Sequence, residues 1–168
     1  MSTIPAWIQK ENDKKTEAER KAETAQQKQM QVAKYIHQHG LGFWKELGDS
    51  MKANALAVEQ LKGAELYGAC SLSVTGQEHN IYVRIERRSV SRGPEAAWMN
   101  LWYIPGNGSI RCWYLDRKRP NIELVVVGRP DVAQDIRAQF TGKPPLNADQ
   151  LAEAIIRQMV AQAGEIQI

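Results

Sequence analysis

Apolar residues recur three or four apart at Phe43, Leu47, Met51, Ala55 and Val58, with Trp44 and Leu61 widening the stripe. That spacing predicts an amphipathic helix from about Phe43 to Lys62, stopped by Gly63. A second stripe, Leu151, Ile155, Met159 and Ala163 with Ile156 and Val160 alongside, predicts a last helix ending at Gly164. Asn147 and Gln150 have the spacing of a capping box, in which each side chain satisfies a backbone N–H of the other. A shorter helix is expected after Pro130, capped by Asp131, because Val132, Ile136 and Phe140 lie four apart.

Between these helices the period changes to two. Segments 66–74, 80–88 and 109–115 alternate apolar and polar residues, 97–104 is apolar on both faces, and 121–127 is rich in Ile and Val. Each reads as a strand. Pro105-Gly106-Asn107-Gly108 is the clearest hairpin signal, and short links elsewhere favour an antiparallel meander. The expected fold class is α+β: an antiparallel sheet of about five strands, flanked by N-terminal and C-terminal helices.

Residues 9–34 follow neither pattern. Lys, Glu, Gln and Ala dominate, without Gly or Pro, and Ala18, Ala22, Ala25 and Ala33 make only a thin stripe. Helix propensity is high there, but little apolar area is present to dock it. Thr16 with Glu19 suggests a capping box, and Glu17 with Lys21 a favourable i,i+4 pair. Gly40-Leu41-Gly42 is expected to break the helix. Residues 1–40 therefore read as a long charged helical arm, partly disordered or docked on a partner, and 41–168 as a single α+β domain.

Composition narrows the picture modestly. Of 168 residues, 43% are hydrophobic and 24% charged, which suffices for a core, and the net charge of +3 is too mild to imply nucleic-acid binding by itself. The start of the chain lacks a basic region followed by an apolar signal core, and no apolar run approaches a membrane span. The expectation is a cytoplasmic protein, not bound to membrane, with Cys70 and Cys112 reduced and buried. No phosphate loop, dinucleotide fingerprint, zinc motif or nucleophile elbow is present, so neither a catalytic residue nor a cofactor is assigned. His37 and His39, about 200° apart on a helix, cannot share a metal without unwinding, and helix-end capping explains them better. An enzyme would need shifted acids such as Glu86, Asp116 or Glu123 in a polar pocket.

Pairing the strands in order gathers Tyr82, Arg84, Trp98, Trp102, Arg111 and Trp113 on one sheet face. Over residues 84–129, nine basic residues stand against four acidic ones. Rings flanked by Arg suit single-stranded nucleic acid, or an anionic or planar ligand. They equally suit a covered face on which Arg stems pack over rings. Rings open to solvent would favour binding; rings under a helix would remove that reading. At the tip of the arm, Trp7 and Ile8 suggest contact with a second copy or another protein. The charges of the arm are interspersed, seven basic against five acidic from Lys10 to Lys34, a poor pattern for anionic lipid. The leading expectation is thus a non-enzymatic protein-interaction or ligand-binding module with a protein partner or a homodimeric state. Single-stranded nucleic-acid binding is the alternative.

Overall fold

The computed structural model describes residues 4–61, 65–75, 78–89, 93–106, 108–114, 117–118, 122–127 and 135–165. Its contacts divide the chain into two units, Met1–Lys34 and Tyr35–Ile168. Helix α1 runs Ala6–Ala57 and so supplies all of the described structure of the first unit beyond its opening residues. It starts where the carbonyl of Pro5 accepts from the N–H groups of Ile8 (2.9 Å) and Gln9 (3.2 Å). Pro sits well at such a start, since its missing N–H would have had no partner.

Within the first unit every described residue except half-buried Ile8 is exposed. Glu17 and Lys21 form the expected pair at 2.7 Å, and Lys14 reaches Glu11 at 3.0 Å. Exposed pairs of this kind add only about 0.2–0.5 kcal/mol each. Thr16 does not cap the helix. The helix has already begun ten residues earlier in chain order at Ala6, and the Thr16 hydroxyl donates to the Asn12 carbonyl at 2.9 Å.

The second unit opens with the rest of α1, which buries Ile36, Gly40, Phe43, Trp44, Leu47, Gly48, Met51 and Ala55. The expected break at Gly40-Leu41-Gly42 does not occur. A Cβ on Gly40 would collide with the Tyr103 hydroxyl, and one on Gly48 with the Leu72 side chain. These glycines let the helix approach the sheet closely. Each costs about 1 kcal/mol of helix propensity relative to Ala, whereas burying Phe43, Trp44, Leu47 and Met51 contributes about 1.5–3 kcal/mol apiece. Packing therefore outweighs propensity, and the helix continues through the glycines. It passes into a 3₁₀ turn at Val58–Gln60, with Val58 still buried. The expected stop at Gly63 lies outside the described residues.

Among the described residues seven strands follow: β1 Leu66–Thr75, β2 Glu78–Ser89, β3 Gly93–Ile104, β4 Ser109–Tyr114, β5 Arg117–Lys118, β6 Ile122–Val127 and β7 Asp135–Gln139. All pairs are antiparallel in the order β1-β2-β3-β4-β6-β7, with the two-residue β5 beside β4. The meander expected from the short links is present. One element changes type, because residues 135–139 are a strand where a helix was expected. Ile136 with Phe140 fits a helical spacing, but the buried partner of Ile136 is Ala138, two residues on, and Val126↔Ile136 and Leu124↔Ala138 register them on β6. The proposed cap, Asp131, and Val132 lie outside the described residues.

The β3–β4 hairpin forms as expected. Gly108 takes φ +61°, which glycine adopts without strain, and a Cβ there would lie 2.8 Å from Ile36. Helix α2, Ala148–Glu165, begins at the expected capping box: Gln150 N–H donates to Asn147 Oδ1 at 2.8 Å, and Asn147 N–H to Gln150 Oε1 at 3.1 Å. Leu151, Ile155, Ile156, Met159 and Ala163 are buried. One core joins both helices of this unit to a single sheet face, through Ile81, Val83, Ile85, Ala97, Met99, Leu101, Tyr103, Ile110, Ile122 and Leu124. The other face carries the candidate site.

Candidate functional site: the outer face of the sheet

Because side chains alternate along a strand, burying Ile81, Val83 and Ile85 turns Asn80, Tyr82 and Arg84 outward. The register sets Arg84 opposite Trp98, Tyr82 opposite Asn100, and Asn80 opposite Trp102. On the next strand Arg111 stands opposite Trp102, and Trp113 opposite Asn100. All six residues singled out in the sequence thus occupy positions on one face, across three adjacent strands. The side chain of Trp113 is outside the described ones.

Within the second unit, the buried residues of α1 and α2 pack on the opposite face. Tyr82 is 39% exposed, Arg84 and Arg111 are exposed, and Trp98 and Trp102 are half-buried. The two tryptophans belong neither to the core cluster nor to the partly buried residues packed on it. Tyr82 and Trp98 stack with centroids 6.3 Å apart at 27°, a geometry that shields part of each ring while leaving the rest open. Arg84 reaches Glu86 at 3.5 Å, a partly exposed pair of little strength.

Two asparagines on this face carry no signal in composition or motif. Asn80 is 9% exposed and Asn100 half-buried, and the Oδ1 atom of each is shielded from solvent without a hydrogen-bond partner among the described residues. An unsatisfied acceptor of this kind costs about 1–3 kcal/mol. Their alternation in phase with Tyr82 and Trp98 was legible in the sequence, but their burial depends on the cross-strand neighbours.

The other sequence candidates fall elsewhere. His37 and His39 are both exposed and lie within α1, not at its end, so the capping reading does not hold; His39 packs on Tyr35, ring centroids 4.4 Å apart. No group of three or more metal-ligating side chains occurs among the described residues. Cys70 and Cys112 lie on β1 and β4 with two strands between them, a separation of roughly 14 Å at the usual strand spacing. Burial pushes the Cys70 thiol up to about 11, partly opposed by Lys52, which suppresses the nucleophilic thiolate. Glu86 is occupied by Arg84, Glu123 stands on β6 opposite Ser109 and Gln139, and Asp116 is outside the described residues. An apolar groove of about 590 Å³ lies where α1 meets β1 and β2, lined by Leu41, Trp44, Leu72, Val74 and His79. No described helix is long and apolar enough to cross a membrane. Trp7, the other aromatic candidate, is 69% exposed in the first unit, with Ile8 half-buried beside it.

Comparison with protein-family models, curated proteins and solved structures finds no match for the chain.

Proposed function

We propose that this chain is a non-enzymatic protein-interaction module whose contact surface is the outer face of the sheet. The observation that carries the reading is the gathering of Tyr82, Arg84 and Arg111, all exposed, with the half-buried Trp98 and Trp102 on one sheet face. Trp, Tyr and Arg supply most of the energy of protein interfaces, because each buries a large area at modest entropic cost and carries a polar end. Trp7 and Ile8 are the contact residues that the same reading assigns to the arm.

One observation favours a second reading. Arg84 and Arg111 each stand across from a tryptophan, and stacked rings beside guanidinium groups suit unpaired bases and their phosphates. The two readings separate experimentally. A photo-crosslinking side chain at Arg111 should trap one discrete protein species in cells, lost on Trp102→Ala, while a labelled single-stranded oligonucleotide shows no binding at low salt. Salt-sensitive oligonucleotide binding that Trp102→Ala abolishes would instead support the nucleic-acid reading. Absence of both would mean that this face is not a contact surface.

A further inference from the structure

We propose that β1 is the seam of a homodimer, in which the β1 strands of two copies pair antiparallel about a two-fold axis near Ser71 and join two sheets into one. Among the described residues the strand order ends at β1 and β7, and Leu146 already pairs with Ala138 beside β7. The two ends are guarded very differently. Strand β7 has five residues, including Asp135 and Arg137, and charged residues on a short strand discourage edge pairing. Strand β1 runs for ten residues, LYGACSLSVT, with neither a charged residue nor a proline. From Gly68 to Val74 no described strand pairs with its outer side, and such an edge offers its backbone N–H and C=O groups to a further strand.

The side chains of β1 fit a second copy of the same strand. Leu72 and Val74 are 46% and 65% exposed, although they lie on the same sheet face as the core residues Ile81 and Val83. On that inner face, after the buried Leu66, come two small residues, Gly68 and Cys70, and then two large ones, Leu72 and Val74. An antiparallel pairing centred on Ser71 sets Leu72 against the partner's Cys70 and Val74 against the partner's Gly68, large against small along the seam. A two-fold axis through a residue also keeps inner face with inner face, so the two apolar layers run on continuously. On the outer face Ser71 meets its own copy, Ala69 meets Ser73 and Tyr67 meets Thr75, none of them charged. A second copy therefore brings no like-charge repulsion. Pairing β1 with β7 of another copy would be head-to-tail and open-ended, with the charges of β7 facing an uncharged strand, so the closed β1–β1 pair is the arrangement that these edges favour.

Light scattering on the full chain tests the seam. The expected mass at tens of micromolar is twice that of one chain. Ser71→Lys, which would place two ammonium groups side by side at the axis, should return it to a single chain with an unchanged far-ultraviolet spectrum. Val74→Lys, at an exposed position of the free chain, should do the same and decides the matter if Ser71→Lys fails to fold. Ser71→Cys in a Cys70→Ser background should cross-link into a covalent dimer under mild oxidation. A wild-type chain that stays monomeric at that concentration would overturn the proposal, as would a dimer that survives both lysine substitutions. Either of those results would leave the outer-face reading untouched, since that is tested through Trp102 and Arg111.

Discussion

Gly40 and Gly42 lie two residues apart in the same helix, yet replacing each with alanine should have opposite effects. A Cβ at Gly42 meets nothing within 4 Å, so Gly42→Ala should stabilise the fold by about 1 kcal/mol through helix propensity alone. Gly40→Ala receives the same propensity gain, but its Cβ collides with the Tyr103 hydroxyl, on a ring that is 0% exposed and held against Trp44 with centroids 5.5 Å apart. Overpacking of a ring that cannot move aside costs about 1–3 kcal/mol, which cancels or reverses the gain. That hydroxyl has no hydrogen-bond partner among the described residues. Tyr103→Phe therefore removes a buried, unsatisfied group and keeps the ring, and should stabilise the fold by about 1 kcal/mol. In the Tyr103→Phe background the obstacle is gone: the next atoms from a Cβ at position 40 are the ring carbon Cζ at 3.2 Å and Leu124 Cδ1 at 3.4 Å. Gly40→Ala should there recover most of its propensity gain, giving a favourable coupling energy of about 1–2 kcal/mol between the two substitutions. Urea denaturation followed by circular dichroism on the wild type, the three single variants and the double variant measures all of these terms. Additivity of Gly40→Ala and Tyr103→Phe within about 0.3 kcal/mol would refute the close-approach argument. A loss of more than about 1 kcal/mol in Tyr103→Phe would mean that the hydroxyl is satisfied after all.

Gly68→Ala should be the most damaging glycine substitution, costing about 3 kcal/mol or more, because its Cβ would run into the backbone carbonyl of Ala55 and not into a side chain that can rotate; the urea midpoint reads the loss. Asn147→Ala removes the side-chain acceptor for the Gln150 N–H at the start of α2 and should cost about 0.5–2 kcal/mol in the same assay. With its thiol pushed up to about 11, Cys70 should react with iodoacetamide at pH 8 about 100-fold more slowly than an ordinary thiol, accelerating as the pH approaches 11. Burial also holds Tyr103 above its usual value, so both groups are kept protonated in the folded state. Their contribution to stability is complete below the unfolded values, 9.0 for Cys70 and 10.0 for Tyr103, and declines as the pH rises through the higher folded ones. Urea midpoints should therefore fall from about pH 9 upward, and less steeply in Tyr103→Phe; a flat midpoint over that range would contradict it.

Elements set by local periodicity were legible without coordinates. The stripes of α2 and of the α1 segment from Phe43 to Ala55, the alternation of β2 and β4, the Asn147–Gln150 box and the Gly106–Gly108 hairpin each depend on neighbours within a few residues, and those interactions operate in any surrounding structure. The same alternation placed Tyr82, Arg84, Trp98, Trp102, Arg111 and Trp113 on one face, since parity along each strand survives any register that keeps the core face together. Other features were settled only by contacts between residues far apart in the chain. The helix continues through Gly40 because burial of its neighbours outweighs propensity, Tyr103 fills the space a side chain at position 40 would take, and residues 135–139 pair as a strand along β6. Which face the helices cover, and the stranding of the Asn80 and Asn100 acceptors beside half-open tryptophans, were likewise decided in three dimensions. Periodicity states that a strand has two faces. Only the docking of the helices decides which of the two is buried, and it is the one opposite the Trp- and Arg-bearing positions.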